Sequence, residues 1–533
     1  MNLRVFVAAA LIGALSLPFA AEERINSDLN SRIREEGMQQ SQLMRTLHFL
    51  TDVYGPRLTG SPSLKAAGEW VVKTMEGWGM KNARLEPWDF GHPGWTNDLA
   101  WGAITSPVKD SLVLEVLAWT PGTKGIVHGK AVNIVIPEQP TADELAAYLG
   151  TVKSKVRGAI VMVGKPRVVP VNITPAPKRN TDEDVKARYD PNNPNAGQRG
   201  RGRGRGQQEP RPGALPAREL AQQIDQFLVD NGALVRVNDA GREHGQIIAF
   251  DNRTYDITKA VPTVVVRNED YGRIARILDD GVPVELEFNI VNRTYPEGRT
   301  AYNTIGEIPG TDKKDEVVML GGHLDSWHSA TGATDNAIGC SIMLEAVRIL
   351  MKLGVQPRRT IRVALWSGEE EGILGSQAYV KEHFGSFEAP KPEYNKLVAY
   401  LNIDTGTGQL RGASVFGPAP AAATLREILA PFQDLGIYGA STSSSRVVAG
   451  TDSTAFNNAG LPGISFQQDP IEYNTHTHHT SLDTYERVIE ADVKKAAVIV
   501  ASTIYHLSMR EEMLARFTAA EMPAPPAPRV PGQ

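Results

Sequence analysis

Short apolar runs alternate with helical patterns through the second half of the chain. Residues 317–320 and 361–366 are apolar runs bounded by turn formers, which is typical of strands buried in a parallel sheet. Between them, apolar side chains recur at helical spacing after Asn336, and a further strand is predicted over residues 397–403. A closing helix is predicted over residues 489–513. Strands that alternate with helices predict an α/β fold.

The amino-terminal part of the chain shows the same alternation. Apolar positions at helical spacing predict a helix within residues 27–50 and a second helix over residues 64–78. A strand is predicted over residues 83–88. We expect these elements to belong to the same α/β layer as the second half of the chain.

The pattern changes from about residue 101. Short strand-like runs occur at residues 125–136, 158–163 and 261–267, without the long helix that should separate parallel neighbours. One amphipathic helix is predicted over residues 217–231. We therefore expect a small β-rich domain inserted into the catalytic domain. The expected boundaries are residues 101–284 for the insert, and residues 22–100 with 285–512 for the catalytic domain.

Three segments are predicted to lie outside these folded domains. Residues 1–21 combine Arg4 with an apolar run, which indicates a signal peptide and export to the periplasm or the extracellular space. Because this run is shorter than the about 20 residues of a transmembrane helix, no stable membrane anchor is expected. Residues 192–216, which contain an Arg-Gly repeat, are expected to form a disordered loop. Residues 513–533 are expected to be a disordered Pro-rich tail.

Composition narrows the class of protein. With 41% hydrophobic and 22% charged residues, the chain of 533 residues is globular and long enough for two folded units. Its net charge of −5 provides no general attraction to nucleic acid or to an anionic membrane. Cys340 is the single cysteine, which excludes an internal disulfide and a four-cysteine metal site.

Histidine and carboxylate side chains follow the predicted strands. Open α/β sheets keep their sites at the carboxyl ends of strands, and nitrogen and oxygen donors at such a place suit zinc. Two zinc ions additionally need a carboxylate that bridges them. We therefore expect a metal-assisted active site. The candidate ligands are His323, Asp335, Glu370, Asp404 and His479.

In these motifs the chain resembles the co-catalytic zinc peptidases, a family of secreted aminopeptidases and glutamate carboxypeptidases. The resemblance covers roughly residues 40–100 and 285–510. The His-Leu-Asp-Ser-Trp run and the twelve-residue step from His323 to Asp335 are most similar to the plasma glutamate carboxypeptidase branch. The resemblance implies a three-layer sheet with helices on both faces and two zinc ions per chain. It also implies that the insert is a protease-associated domain.

The resemblance implies a metal-binding role for each candidate ligand. Asp335 would bridge the two zinc ions. His323 and Asp404 would complete the ligand set of one ion, and Glu370 and His479 that of the other.

Two further acids receive roles from the resemblance. Glu369 is the expected general base for a water whose pKa the zinc ions lower. Asp325 is the expected acid that orients the first histidine ligand through its free ring nitrogen. The last histidine is the least certain position, because three histidines compete for it. His479 is preferred over those at 476 and 478, since it lies four residues before Asp483, as in the family.

The resemblance implies an exported metal-dependent exopeptidase that cleaves dipeptides or short peptides from the amino terminus. A carboxypeptidase is the alternative, and residues 442–446 and 450–453 are pocket candidates in which Arg446 could hold a terminal carboxylate. A single-zinc glutaminyl cyclase and a non-catalytic binding protein are further alternatives. The expected partner is a peptide substrate, and the inserted domain could mediate formation of a homodimer.

Overall fold

The computed structural model describes residues 25–193, 211–252, 254–447 and 450–526. The predicted signal peptide, the Arg-Gly repeat and the end of the predicted tail lie outside these residues. In the part of the chain that is described, no helix combines the length and the apolar character needed to cross a membrane.

Helices and strands alternate along most of the described chain. The helices are α1 (Ser27–Gln39), α2 (Leu43–His48), α3 (Pro62–Gly77), α4 (Ala142–Val156), α5 (Asp182–Tyr189), α6 (Ala217–Asp230), α7 (Asn268–Asp279), α8 (Ile338–Lys352), α9 (Leu374–His383), α10 (Ala419–Leu429), α11 (Ser453–Asn458) and α12 (Glu490–Met509). The strands are β1 (Lys81–Asp89), β2 (Gly94–Ser106), β3 (Asp110–Ser111), β4 (Leu114–Val116), β5 (Val127–Ile134), β6 (Ile160–Val163), β7 (Val235–Asp239), β8 (Thr263–Val266), β9 (Glu285–Tyr295), β10 (Thr300–Ile308), β11 (Lys313–His323), β12 (Arg359–Trp366), β13 (Leu397–Asn402), β14 (Leu410–Phe416), β15 (Ala440–Ser443) and β16 (Gly463–Gln468).

The first sheet has eight strands in the order β1-β10-β12-β11-β13-β16-β14-β15. Its centre is parallel, because β11 pairs in parallel with β12 and β13, and β13 pairs in parallel with β16. Outside this centre, β10 is antiparallel to β12 and β14 is antiparallel to β16. The expected parallel sheet is therefore mixed, and the strands of its centre, β12, β11, β13 and β16, have their carboxyl ends at one edge.

Helices cover both faces of the first sheet. Alternate residues of β11 point to opposite faces, as strand geometry requires. Val318 and Leu320 are buried in the core that α8 and α12 cover, whereas Val317 and Met319 are buried in the core that α9 and α11 cover. Complete burial of side chains of this size contributes about 1.5–3 kcal/mol each, which explains why the central strands read as continuous apolar runs.

The second sheet also has eight strands, in the order β3-β2-β9-β5-β6-β7-β8-β4. It extends from Gly94 to Tyr295, and so it begins before and ends after the insert boundaries expected from the sequence. Strands β5 to β8 are mutually parallel. We call residues 94–295 the second unit; its division from the rest as a separate domain stays a prediction.

The sequence prediction that no long helix separates the parallel strands of the second unit was wrong. Helix α4 lies between β5 and β6, and it begins with a capping box in which Thr141 and Glu144 satisfy each other's backbone amides. Its buried face includes Leu145, Leu149 and Val156. The second unit is therefore a mixed α/β layer and not merely β-rich.

Candidate metal centre

Two of the candidate ligands meet because their strands are parallel neighbours. His323 ends β11, and Asp404 follows the end of β13. The Nε2 atom of His323 lies 3.4 Å from Oδ1 of Asp404. The imidazole is completely buried, so it is held at the sheet edge by packing on all sides.

Asp335 places one carboxylate oxygen on each side of the site. It lies in the turn Ala333–Ala337 that leads into α8, and its peptide bond to Asn336 is cis. Its Oδ1 is 3.2 Å from Nε2 of His323, while its Oδ2 is 3.2 Å from Nε2 of His479. A single carboxylate thus joins two histidines that are 156 residues apart.

Asp483 fixes the backbone that carries Asp335. Its Oδ1 accepts a hydrogen bond from the Thr334 amide at 2.6 Å, and its Oδ2 accepts one from the Asp335 amide at 3.0 Å. The sequence predicted Asp483 only as the acid that follows the last histidine, and its bonds to the backbone of residues 334 and 335 were not predicted. Nothing in the local sequence signals a bond across so long a separation.

The turn after β12 brings two glutamates to opposite sides of the site. Oε2 of Glu370 lies 3.0 Å from Nε2 of His479, and Oε1 of Glu370 accepts from the Trp327 amide at 3.4 Å. Oε2 of Glu369 lies 4.0 Å from Nε2 of His323. Glu369 is thus close to the donor atoms but set back from them.

Asp325 acts differently from the expectation. Nδ1 of His323 lies 3.0 Å from the main-chain oxygen of Asp325, whereas its carboxylate oxygen Oδ1 is 3.8 Å away. The carboxylate instead accepts from the Thr59 hydroxyl at 3.1 Å and from the Glu370 amide at 3.2 Å. The carbonyl of Asp325 therefore orients His323, and its carboxylate positions the glutamate turn.

The three competing histidines occupy different places. His479 reaches both Asp335 and Glu370, as described above. Nε2 of His478 lies 3.7 Å from Oδ2 of Asp335, and its ring packs against Tyr473 with 4.7 Å between centroids. His476 points away, towards Glu243 and His244.

Two aromatic residues of the site were not predicted. The ring of Phe250, from the second unit, lies edge-on to His479 at 5.4 Å between centroids. The hydroxyl of Tyr473 donates to Oδ1 of Asp404 at 3.4 Å. Phe250 has no polar or spacing signal that could have indicated its position.

The proposed carboxylate-binding arginine is not directed at the site. Nη1 of Arg446 lies 2.8 Å from Oε1 of Glu388 and donates to the main-chain oxygen of Asn458. The side chain of Arg446 is buried. Of the other pocket candidates, Asp452 is buried and accepts a hydrogen bond from Ser376 at 2.6 Å.

The crowded charges shift the pKa values in opposite directions. Burial alone would lower the pKa of His479, but Glu370 and Asp335 outweigh it and raise the pKa to about 10. Burial and the neighbouring Asp335 raise the pKa of Glu370 to about 7. Although burial opposes it, the two histidines hold the pKa of Asp335 well below its usual range.

The donor atoms fit divalent cations. One group with mutually close donor atoms is His323, Asp335 and Asp404, and a second is Asp335, His478 and His479. Within the described residues, Nε2 of His323 and Oδ2 of Asp335 are buried without a hydrogen-bond partner. Buried polar atoms normally have partners, and imidazole with carboxylate is the donor set that zinc binds. The two groups share Asp335, as a pair of bridged ions requires.

Comparison with known proteins relates the chain to a family of peptidases. Residues 303–504 match the profile of Peptidase family M28. Carboxypeptidase Q of Rattus norvegicus is 27% identical over 484 residues, which cover 90% of this chain and 88% of the relative.

Two solved structures show the same fold. A Peptidase M28 precursor from Shewanella amazonensis has a TM-score of 0.63 and 23% identity, covering 93% of this chain and 100% of that chain. A zinc aminopeptidase from Bacillus subtilis has a TM-score of 0.55 and 16% identity, covering 90% of this chain and 97% of that chain.

Proposed function

We propose that this chain, which matches the profile of Peptidase family M28 over residues 303–504 as its motifs indicated, is an exported di-zinc exopeptidase of that family. It hydrolyses dipeptides or short peptides from the amino terminus. The observation that carries the proposal is Asp335, whose two oxygens face His323 and His479 at 3.2 Å each. His323, Asp404, Glu370 and His479 are then the remaining ligands. When bound, zinc ions supply a Lewis acid and lower the pKa of a coordinated water.

Each remaining residue has a role that follows from its position. Glu369 lies within 4.0 Å of a ligand without joining the ligand set, so it is placed to accept a proton from water and to pass it to the leaving amine. The carboxylate of Asp325 holds the Glu370 amide and thereby the turn that carries both glutamates. Asp483 holds the Asp335 backbone.

A carboxypeptidase is the second candidate, because the relative from Rattus norvegicus bears that name. Such an activity needs a cation for the substrate's terminal carboxylate. Arg446 was the candidate from the sequence, and its pairing with Glu388 weakens the carboxypeptidase proposal. Four candidate ligands around one bridging carboxylate, Asp335, favour neither a single-zinc cyclase nor a non-catalytic binding protein.

A pair of matched peptides tests the proposal. One carries a free amino terminus and the other is acetylated, and cleavage is followed by mass spectrometry with and without a chelator. We expect stepwise trimming of the free peptide only, loss of trimming with the chelator, and recovery on addition of zinc. Trimming of the acetylated peptide from its carboxyl end would establish the carboxypeptidase. Cleavage of neither peptide by zinc-loaded protein would contradict both.

A further inference from the structure

A large cavity lies in the second unit beside the metal centre. Its volume is about 1070 Å³, slightly above the range of about 300–1,000 Å³ that is typical of small-molecule sites. One wall consists of the ends of β6 and β7 and the loop that follows β7. Another part of the lining comes from residues 165–181, the segment between β6 and α5, which we call the strap.

The strap is fixed to the second unit at its beginning. The amide of Arg167 donates to Oδ2 of Asp239 at 2.7 Å, and its carbonyl accepts from the Asn268 side chain at 3.0 Å. Asp239 ends strand β7. The first part of the strap is therefore held by the sheet of the second unit.

The strap is fixed to the catalytic part of the chain at its end. Nη1 of Arg179 lies 3.3 Å from Oδ2 of Asp469 and 2.8 Å from Oδ2 of Asp492. The carbonyl of Lys178 accepts from the Ile471 amide at 2.7 Å. Asp469 and Ile471 begin the loop that carries His479, so the strap reaches from the second unit to a metal-binding loop.

Between these two attachments, the strap presents aliphatic side chains to the cavity. Val171 and Ile173 both line it, and they are 87% and 88% exposed. Both side chains lie in a segment whose ends are fixed, and both face one cavity. Contact with an apolar ligand would bury them, which is favourable by roughly 25 cal/mol for each Å² removed from water.

The cavity adjoins the metal centre at Phe250. This residue lines the cavity, and its ring lies 5.4 Å from that of His479 and 4.9 Å from that of Trp327. Thr475, on the loop that carries His479, lines the cavity as well. A ligand in the cavity is therefore next to the metal-binding residues.

We propose that this cavity binds the part of a peptide substrate beyond the scissile bond, with aliphatic side chains placed against Val171 and Ile173. The inference rests on the proposed function, because it takes the metal centre as the place of hydrolysis. Among the dipeptides and short peptides of that function, it specifies peptides of three or more residues that carry aliphatic side chains after the cleaved bond.

The test compares the double variant V171N/I173N with V168N. Val168 is 94% exposed on the same strap and is not among the residues that line the cavity, so it is a matched control. KM is measured for an aliphatic tetrapeptide and for a dipeptide. We expect V171N/I173N to raise the ratio of the tetrapeptide KM to the dipeptide KM at least about fivefold. V168N should leave this ratio unchanged.

Binding without turnover separates this inference from the proposed function. In a Glu369→Gln background, the Kd of a fluorescent tetrapeptide should rise at least about fivefold on V171N/I173N, and not on V168N. Absence of binding, or equal Kd values with equal KM ratios, would overturn the cavity proposal. Weaker binding to the double variant, together with no hydrolysis by zinc-loaded wild type, would uphold the cavity and contradict the peptidase.

Discussion

At the scale of single residues, the site depends on the orientation of one carboxylate. Asp335 can face two histidines only if its backbone is fixed. Asp483 fixes that backbone, because its carboxylate accepts hydrogen bonds from two consecutive backbone amides. Both acids are buried. Residues that orient ligands in this way typically account for a 10- to 100-fold effect on metal affinity.

We therefore expect Asp483→Asn to lower zinc affinity roughly 10- to 100-fold, because an amide offers one acceptor oxygen where the carboxylate offers two. Zinc dissociation constants from competition with a chromophoric chelator measure this. The matched control is Asp434→Asn, an acid that pairs with Arg34 at the surface. Equal zinc affinities for wild type and Asp483→Asn would contradict the role given to Asp483.

At the scale of elements, strand neighbours decide which ligands meet. The parallel pairing of β11 with β13 brings His323 and Asp404 together, and the loop after β11 extends across to the second unit. There, Nε2 of His328 donates to the Val116 carbonyl at 2.6 Å, and its ring packs edge-on against Trp95. His328 thus joins the two sheets.

The burial of His328 makes stability depend on pH, whereas its hydrogen bond to the Val116 carbonyl acts in the opposite direction on the pKa. Burial lowers the pKa of His328 to about 4 from an ordinary value of 6.5. Between these values the unfolded chain binds a proton that the folded chain does not, so stability falls as pH falls from 6.5 to 4. The loss is on the order of 3 kcal/mol.

The measurement is the free energy of unfolding in urea between pH 7 and pH 4 for wild type and His328→Gln. We expect the variant to lose less stability over this range, because it lacks the titrating ring. Other buried histidines are present in both proteins and cancel in the difference. If the free energy of unfolding changed with pH by the same amount in wild type and variant, the lowered pKa of His328 would be contradicted.

Helix α5, which follows the strap, packs against strand β14 of the first sheet. The ring of Tyr189, in α5, lies against strand β14 so closely that a Cβ atom on Gly412 would be 2.2 Å from it. Gly412→Ala should therefore lower the free energy of unfolding by about 1–3 kcal/mol. Gly150→Ala is the control: its Cβ meets nothing within 4 Å in α4, and it should be neutral or stabilising. Equal free energies of unfolding for Gly412→Ala and Gly150→Ala would contradict the packing of α5 against β14.

The sequence indicated the candidate ligands more fully than the sheets. His323 and Asp404 could be proposed as ligands because each follows an apolar strand, and the structure brings their side chains together. Thr141 followed three residues later by Glu144 is a capping signal, and it could have predicted the start of α4. The antiparallel pairing of β14 with β16 and the contact of Phe250 with His479 arise from tertiary packing, which no local pattern of apolar residues encodes.

At the scale of the whole molecule, charged contacts join the second unit to the catalytic sheet. Asp182 pairs with Arg411 and accepts from the Tyr438 hydroxyl, next to the contacts of Arg179 described above. Asp469 and Asp492 are nearly buried, with side-chain exposures of 1% and 6%. Removing the arginine that pairs with such buried acids is costly, because the desolvation of the carboxylates is then no longer compensated by a positive charge.

We expect Arg179→Ala to lower the free energy of unfolding by about 1–3 kcal/mol. This is less than for a fully buried ion pair, because the side chain of Arg179 is 45% exposed and partly screened by water. Urea unfolding followed by fluorescence measures it. Arg211→Ala breaks an exposed pair with Glu144 and should leave the free energy of unfolding nearly unchanged, because water screens such a pair. If the two variants are equally stable, Arg179 does not hold the units together.

The most direct test of the proposed peptidase combines metal content and turnover in one sample of Glu369→Gln. Glu369 lies beside the ligands and is not one of them, so the variant should retain two zinc ions per chain. Its kcat on a free dipeptide should fall roughly 10²- to 10⁴-fold, the usual contribution of general acid–base catalysis. Retention of wild-type kcat with two zinc ions bound would contradict the mechanism, and fewer than two zinc ions in wild type would contradict the bridged site.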